Sequence, residues 1–87
     1  MIERQITGIK KDSSGNIDML CNPTEWWSPK TVNEMLYDIE EYMYLYFVVV
    51  DGQKVEIKVI TELTGKYLRT DPDKTKKNTL DELPDCL

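Results

Sequence analysis

The chain predicts a single small α+β domain over residues 1–87, a mainly antiparallel sheet with one helix packed on a face. Three observations lead there. Asp51-Gly52 joins two strand-like runs, Tyr44 to Val50 and Gln53 to Ile60, and an Asp-Gly pair tolerates the positive φ angles of a two-residue hairpin turn. Val32, Met35, Leu36, Ile39 and Met43 recur at helical spacing and make one apolar stripe. Shorter strand-like runs lie before the stripe and after the hairpin, which gives the order β-β-α-β-β-β. A curled, partly open small barrel with an inserted helix is the alternative that the same elements allow.

Ile2 to Lys10 reads as the first strand, with Ile2, Arg4 and Ile6 at a period of two and Gly8 marking a bulge. Ser13-Ser14-Gly15-Asn16 is a loop. Ile17 to Asn22 is the second strand, with Ile17, Met19 and Cys21 on one face, and it forms a hairpin with the first. Asn22-Pro23-Thr24 ends it. Ser28 is a good N-cap and Pro29 suits the first helical position, so the helix starts there, or about three residues later at the capping box Thr31-Val32-Asn33-Glu34. With Ser28 as the cap, Trp27 and Val32 take the positions of a hydrophobic staple. Asn33, Glu34, Asp38 and Glu41 lie off the apolar stripe. Carboxylates on an exposed helix face serve solvation, so none is assigned a catalytic role.

The hairpin register places Val50 opposite Gln53, Val48 opposite Val55, Tyr46 opposite Ile57 and Tyr44 opposite Val59. That face is apolar, with Tyr44 and Tyr46 in the core and their hydroxyl tips wet. The other face sets Lys54 against Val49, Glu56 against Phe47 and Lys58 against Leu45. Leu45, Phe47 and Val49 therefore need a cover: the chain's own Trp26, a second copy, or a partner. Lys66 to Thr70 is a fifth strand, and Asp71 to Asn78 a polar loop. Thr79 to Glu82 has capping-box form, cut to about one turn by Pro84. One such turn buries Leu80 and Leu83 together, a clamp on the open end of the core with Cys86 packed nearby.

Length and charge narrow the function classes. A chain of 87 residues buries roughly 60–65% of its unfolded surface, enough for a thin core. No apolar run is long enough to span a membrane, and Met1-Ile2-Glu3-Arg4-Gln5 lacks the regions of a signal peptide, so the expected compartment is the cytoplasm. Cys21 and Cys86 then read as reduced thiols that pack as small hydrophobes. The absence of histidine removes Ser-His and Cys-His nucleophile systems and leaves zinc only a seldom used set of ligands.

Asp71-Pro72-Asp73-Lys74-Thr75 matches the D-x-D-x-T pattern of haloacid dehalogenase-type phosphotransferases, but without the buried strand and the large fold on which that nucleophile depends. Asp71, Asp73, Thr75, Thr79 and Glu82 take the ligand positions of an EF-hand-like loop, where Lys76 stands in place of the required glycine. A solvated turn accounts for both. No catalytic residue, cofactor or metal site is assigned, and the expectation is a protein that is not an enzyme.

Two function classes stay open. One is a non-catalytic interaction module, with Trp26, Leu45, Phe47 and Val49 as the contact residues and a homodimer or a protein partner as the occupant. The other is contact with nucleic acid through Lys66, Tyr67, Arg69, Lys74, Lys76 and Lys77. The net charge of −5 and a pI near 4.6 weigh against the second.

Several fragments together carry a resemblance: Ile6-Thr7-Gly8-Ile9, Asn22-Pro23 and Trp27-Ser28-Pro29, then Tyr67-Leu68-Arg69-Thr70, Pro72-Asp73, Asn78 and Leu83-Pro84-Asp85-Cys86. In order and spacing the chain resembles a family of small bacterial proteins, the domain of unknown function 3892, along almost its whole length. The resemblance implies a compact stand-alone bacterial domain with a strand near Ile6, a helix start at Trp-Ser-Pro and a tail closing on Leu-Pro-x-Cys. It brings no activity with it.

Overall fold

The structure is a computed structural model that describes residues 1–70 and 79–86. Eight strands and one α-helix follow in order: β1 (Ile2–Gln5), β2 (Gly8–Lys11), β3 (Ile17–Cys21), β4 (Lys30–Thr31), α1 (Val32–Glu40), β5 (Tyr44–Val50), β6 (Gln53–Glu56), β7 (Lys58–Glu62) and β8 (Gly65–Arg69). A 3-10 turn, Thr79–Glu82, precedes the tail. The α+β class holds, and most strand pairs are antiparallel.

The strands form three small sheets, β1-β5-β6, β2-β3-β4 and β7-β8, and two bends link them. Ile6 N–H still donates to Phe47 O (2.8 Å), whereas Thr7 N–H donates to Cys21 O (2.9 Å), so the first strand changes partner between those residues. What reads in sequence as one bulged strand is β1 and β2, serving two sheets. Gly8 is needed just past the bend, because a Cβ there would sit 3.0 Å from both Cys21 Sγ and Pro84 O. The second bend is at Ile57. Its N–H still donates to Tyr46 O (2.8 Å), and the chain then leaves β5 to pair with β8. Among the described residues the ladder does not close into a barrel.

The central hairpin keeps its expected register from Val50↔Gln53 to Phe47↔Glu56, around Asp51 and Gly52 at positive φ. The expected facing of Tyr44 and Val59 does not occur. Val59 pairs with Leu68, and Tyr44 pairs in parallel with Ile2. Parallel pairing leaves no local turn to betray it, which is why a hairpin rule misses it.

Helix α1 starts at the later of the two expected positions. Thr31 is the N-cap: its hydroxyl accepts from Glu34 N–H (3.2 Å), and Glu34 Oε1 accepts from Thr31 N–H (3.0 Å). This capping box is worth about 1 kcal/mol. The Thr31 N–H and hydroxyl, both donating to Glu34 Oε1, hold the Glu34 carboxyl below its ordinary pKa. Its contribution is thus present above the unfolded-state value and is lost as pH falls through the folded one. The staple expected with Ser28 as the cap is not formed, and Trp27 is buried edge-on to Tyr46 instead (5.8 Å between centroids).

The core gathers Ile6, Ile9, Leu20, Trp27, Met35, Tyr46, Val48, Ile57, Leu68 and Leu80. Leu80 is fully buried and Leu83 packs half-buried against the cluster, so both leucines of the turn lie on the core as expected. The expectation of reduced thiols is corrected: Cys21 and Cys86 are joined in a disulfide across 65 residues of sequence. They are too far apart in sequence for their proximity to be read from it.

Candidate functional site

Arg4 decides the local architecture of the site. Alternation with Ile2 and Ile6 turns it inward, and it is only 5% exposed. Its guanidinium carbon lies 3.4 Å from the Tyr44 ring centroid, 5.1 Å from that of Trp27, 5.7 Å from Trp26 and 5.9 Å from Tyr46. Four aromatic rings thus surround one cation that belongs to the chain itself. Arg4 Nη1 donates to the Tyr46 hydroxyl (3.0 Å), which donates to Asp38 Oδ2 (2.7 Å). Asp38 comes from α1 and is buried, not solvated as its place off the stripe suggests. Tyr46 is likewise buried to its tip, with Asp38 where water was expected.

Burial, then the hydrogen bond to Asp38, pushes the Tyr46 pKa well above its ordinary value. The folded state therefore favours the neutral phenol. That stabilisation is full below the unfolded-state pKa and fades only as pH rises through the folded one, so this link does not titrate near neutrality. Among the described residues, every buried side-chain nitrogen or oxygen has a partner. The Arg4–Tyr46–Asp38 network is among these satisfied groups.

What the network presents outward is different. Trp26 covers Arg4 with one face and is 87% exposed. Parallel pairing sets Ile2 beside Tyr44, which brings Met1 against the start of β5. Met1, Tyr42, Tyr44 and Leu45 line one shallow cleft. Met1, Ile2, Trp26, Tyr42 and Met43 are all exposed; the β1–β5 register sets Ile2 beside Tyr44, and Trp26 lies against Arg4, whose guanidinium also stacks on Tyr44.

Tyr42 is the most informative of them. Helix α1 ends in a Schellman motif, with Met43 N–H donating to Asp38 O (2.9 Å) and Tyr42 N–H to Ile39 O (3.1 Å). The motif needs a left-handed residue, usually glycine, yet Tyr42 holds φ +56° and is 80% exposed. That conformation costs a non-glycine residue about 1–2 kcal/mol. The exposed ring returns little of it in packing.

Of the residues singled out by sequence, Leu45, Phe47 and Val49 share one face of β5, and Trp26 lies apart from them against Arg4. Leu45 and Phe47 are half-buried and Val49 is exposed. Trp26 does not cover them. Glu3 and Lys54 form an ion pair across β5, and the Lys54 ammonium lies 4.7 Å from the Phe47 ring centroid. A charged strap thus shields part of the face from its own sheet. Of the basic set, Lys66 pairs with Glu40 (2.7 Å), the Tyr67 hydroxyl donates to Glu62 (3.0 Å) and Arg69 is buried. Lys74, Lys76 and Lys77, with the Asp71 and Asp73 patterns, lie outside the described residues. The described helix is too short and polar to cross a membrane.

Sequence reasoning assigns no site role to Arg4, Asp38 or Tyr42. The signal for Arg4 was its place between Ile2 and Ile6, since an inward arginine requires a buried acceptor.

No curated protein and no solved structure matches the chain. The family described as Protein of unknown function (DUF3892) matches it over residues 5–84, nearly from end to end, and the chain belongs to that family.

Proposed function

We propose that the domain is a non-catalytic interaction module, and that its contact surface is the aromatic end built by Met1, Ile2, Trp26, Tyr42 and Met43. The observation that carries this reading is Tyr42, a large exposed aromatic kept in a left-handed position where glycine is cheaper. Backbone strain of that kind clusters where function requires it. Trp and Tyr are also the side chains that dominate binding at interfaces.

The occupant is a partner protein with an apolar anchor and a basic flank. Glu25 and Glu41 immediately precede Trp26 and Tyr42, and neither makes an ion pair among the described residues. Each exposed ring therefore has a carboxylate beside it in sequence. With a net charge of −5 on each chain, a second copy meets repulsion where a basic segment meets attraction.

A titration of the full chain with an amphipathic Leu/Lys peptide and its Leu/Glu counterpart, read by tryptophan fluorescence, tests this. Binding of the basic peptide alone is expected, weakening with salt and falling at least tenfold in Trp26→Ala and Tyr42→Gly. Tyr42→Gly should at the same time raise stability by about 0.5–1 kcal/mol, the relief of strain less glycine's added unfolded-state entropy. Equal binding of both peptides, or variants that bind unchanged, would sink the surface. A dimer in light scattering that Trp26→Ala dissolves would hand it to a second copy.

A further inference from the structure

We propose that the Cys21–Cys86 bridge is a thiol–disulfide exchange site that latches the C-terminal tail, with a dithiol as its co-reactant. The tail reaches the sheet at few points. Ile9 N–H donates to Pro84 O (2.9 Å), Cys86 N–H donates to Ile9 O (2.8 Å), and Ile9 and Asp85 form an isolated parallel bridge. Pro84 and Asp85 are exposed, while Leu80, on the near side of Pro84, is fully buried. Among the described residues past Leu83, two backbone hydrogen bonds and one covalent bond hold the chain to the sheet. Gly8 allows this approach, since a side chain there would strike both the Cys21 sulfur and the Pro84 carbonyl.

The bridge is also reachable. A cleft of about 400 Å³ is lined by both cysteines with Lys10, Met19, Pro23 and Ser28. Cys86 is half-buried and Cys21 nearly inaccessible, so Cys86 is the sulfur open to attack. Lys10 supplies a cation in the same cleft, which favours a thiolate once the bond is broken.

The exchange balances as follows. One thiolate of the dithiol attacks Cys86 Sγ, the bridge breaks, and Cys21 leaves as a thiolate and takes up a proton. The second thiol of the reductant, deprotonated, attacks the reductant's sulfur in the mixed disulfide. This closes the reductant's own disulfide and releases Cys86 as a thiolate, which is protonated in turn. Two electrons pass from the dithiol to the protein. Dithiols are among the reductants that keep cytoplasmic thiols reduced. In that compartment the tail is free, and under oxidation it is fastened.

Amide hydrogen exchange on the oxidised and the dithiothreitol-reduced full chain tests the latch. Reduction should speed exchange at Ile9 and Cys86 at least tenfold while the amides of β5 and β6 keep their protection. The Cys21→Ser/Cys86→Ser double variant should match the reduced protein with or without reductant. Tail amides equally protected in both states would overturn the proposal. So would loss of protection along the whole chain, or a double variant that fails to fold, since the bridge is then a staple for the entire domain. Resistance to dithiothreitol that fully reduces glutathione disulfide in the same tube would overturn it as well.

Discussion

Arg4→Ala is expected to lower the unfolding free energy by about 3–5 kcal/mol, a large share of the roughly 5–10 kcal/mol that a domain of this size possesses. Two losses combine. The rings of Trp26, Trp27, Tyr44 and Tyr46 lose the cation they enclose, and a desolvated cation–π contact is worth up to about 2 kcal/mol. Asp38, buried, keeps the Tyr46 hydroxyl but loses the cation at the far end of the chain of hydrogen bonds. Arg4→Met separates the two, because it refills the volume and leaves the charge unanswered. Adding Asp38→Leu and Tyr46→Phe to Arg4→Met should then recover much of the loss, since a buried network replaced as a unit by apolar groups is often neutral, whereas a Tyr46 hydroxyl left behind would have no partner. Urea unfolding of the wild type, Arg4→Ala, Arg4→Met and the combined variant measures each step. A loss under about 1 kcal/mol in Arg4→Ala would mean that the aromatic box does not depend on its cation.

Leu80→Ala should cost about 2–5 kcal/mol, the range for a buried leucine whose cavity cannot collapse. Leu80 is fully buried and belongs to the main cluster, although it sits on a single 3-10 turn. A turn so short contributes almost nothing to its own stability. The side chain must hold the segment in place, and not the reverse. Leu83, only partly buried, should lose less on the same substitution. Thermal unfolding of both variants decides the order. A Leu83→Ala that costs more than Leu80→Ala would move the anchor to the other end of the turn.

Much of this fold is legible in the amino-acid order, because its strongest devices are local. Asp51-Gly52 fixes a register that holds for four pairs, and Thr31 with Glu34 fixes the helix start once the two candidate caps are compared. What escapes are the contacts between residues far apart in sequence. The parallel β1–β5 pairing has no turn of its own, and the disulfide links thiols whose nearness only the folded sheet creates. The polar core is hidden for a related reason. Asp38 lies at the margin of the apolar stripe, where a carboxylate reads as solvated until Arg4 and Tyr46 are seen to face it. The proposed contact surface is half legible: Trp26 stands out as an aromatic with no structural task, but Tyr42 draws notice only through its backbone angle.

The bend at Ile6–Thr7 also dictates an order of assembly. The first residues of the chain are completed as structure by partners made much later, with Arg4 meeting Tyr46 across 42 positions. During synthesis β1 has nothing to pair with until β5 has emerged, whereas the central hairpin closes over two turn residues. Loop-closure entropy favours the hairpin as the early nucleus and the N-terminal strand as a late arrival. Conservative substitutions in Val48 and Val55 should therefore slow folding, while those in Ile2 and Ile6 should mainly hasten unfolding. A chevron series with the opposite pattern would show that the long-range pairing comes first.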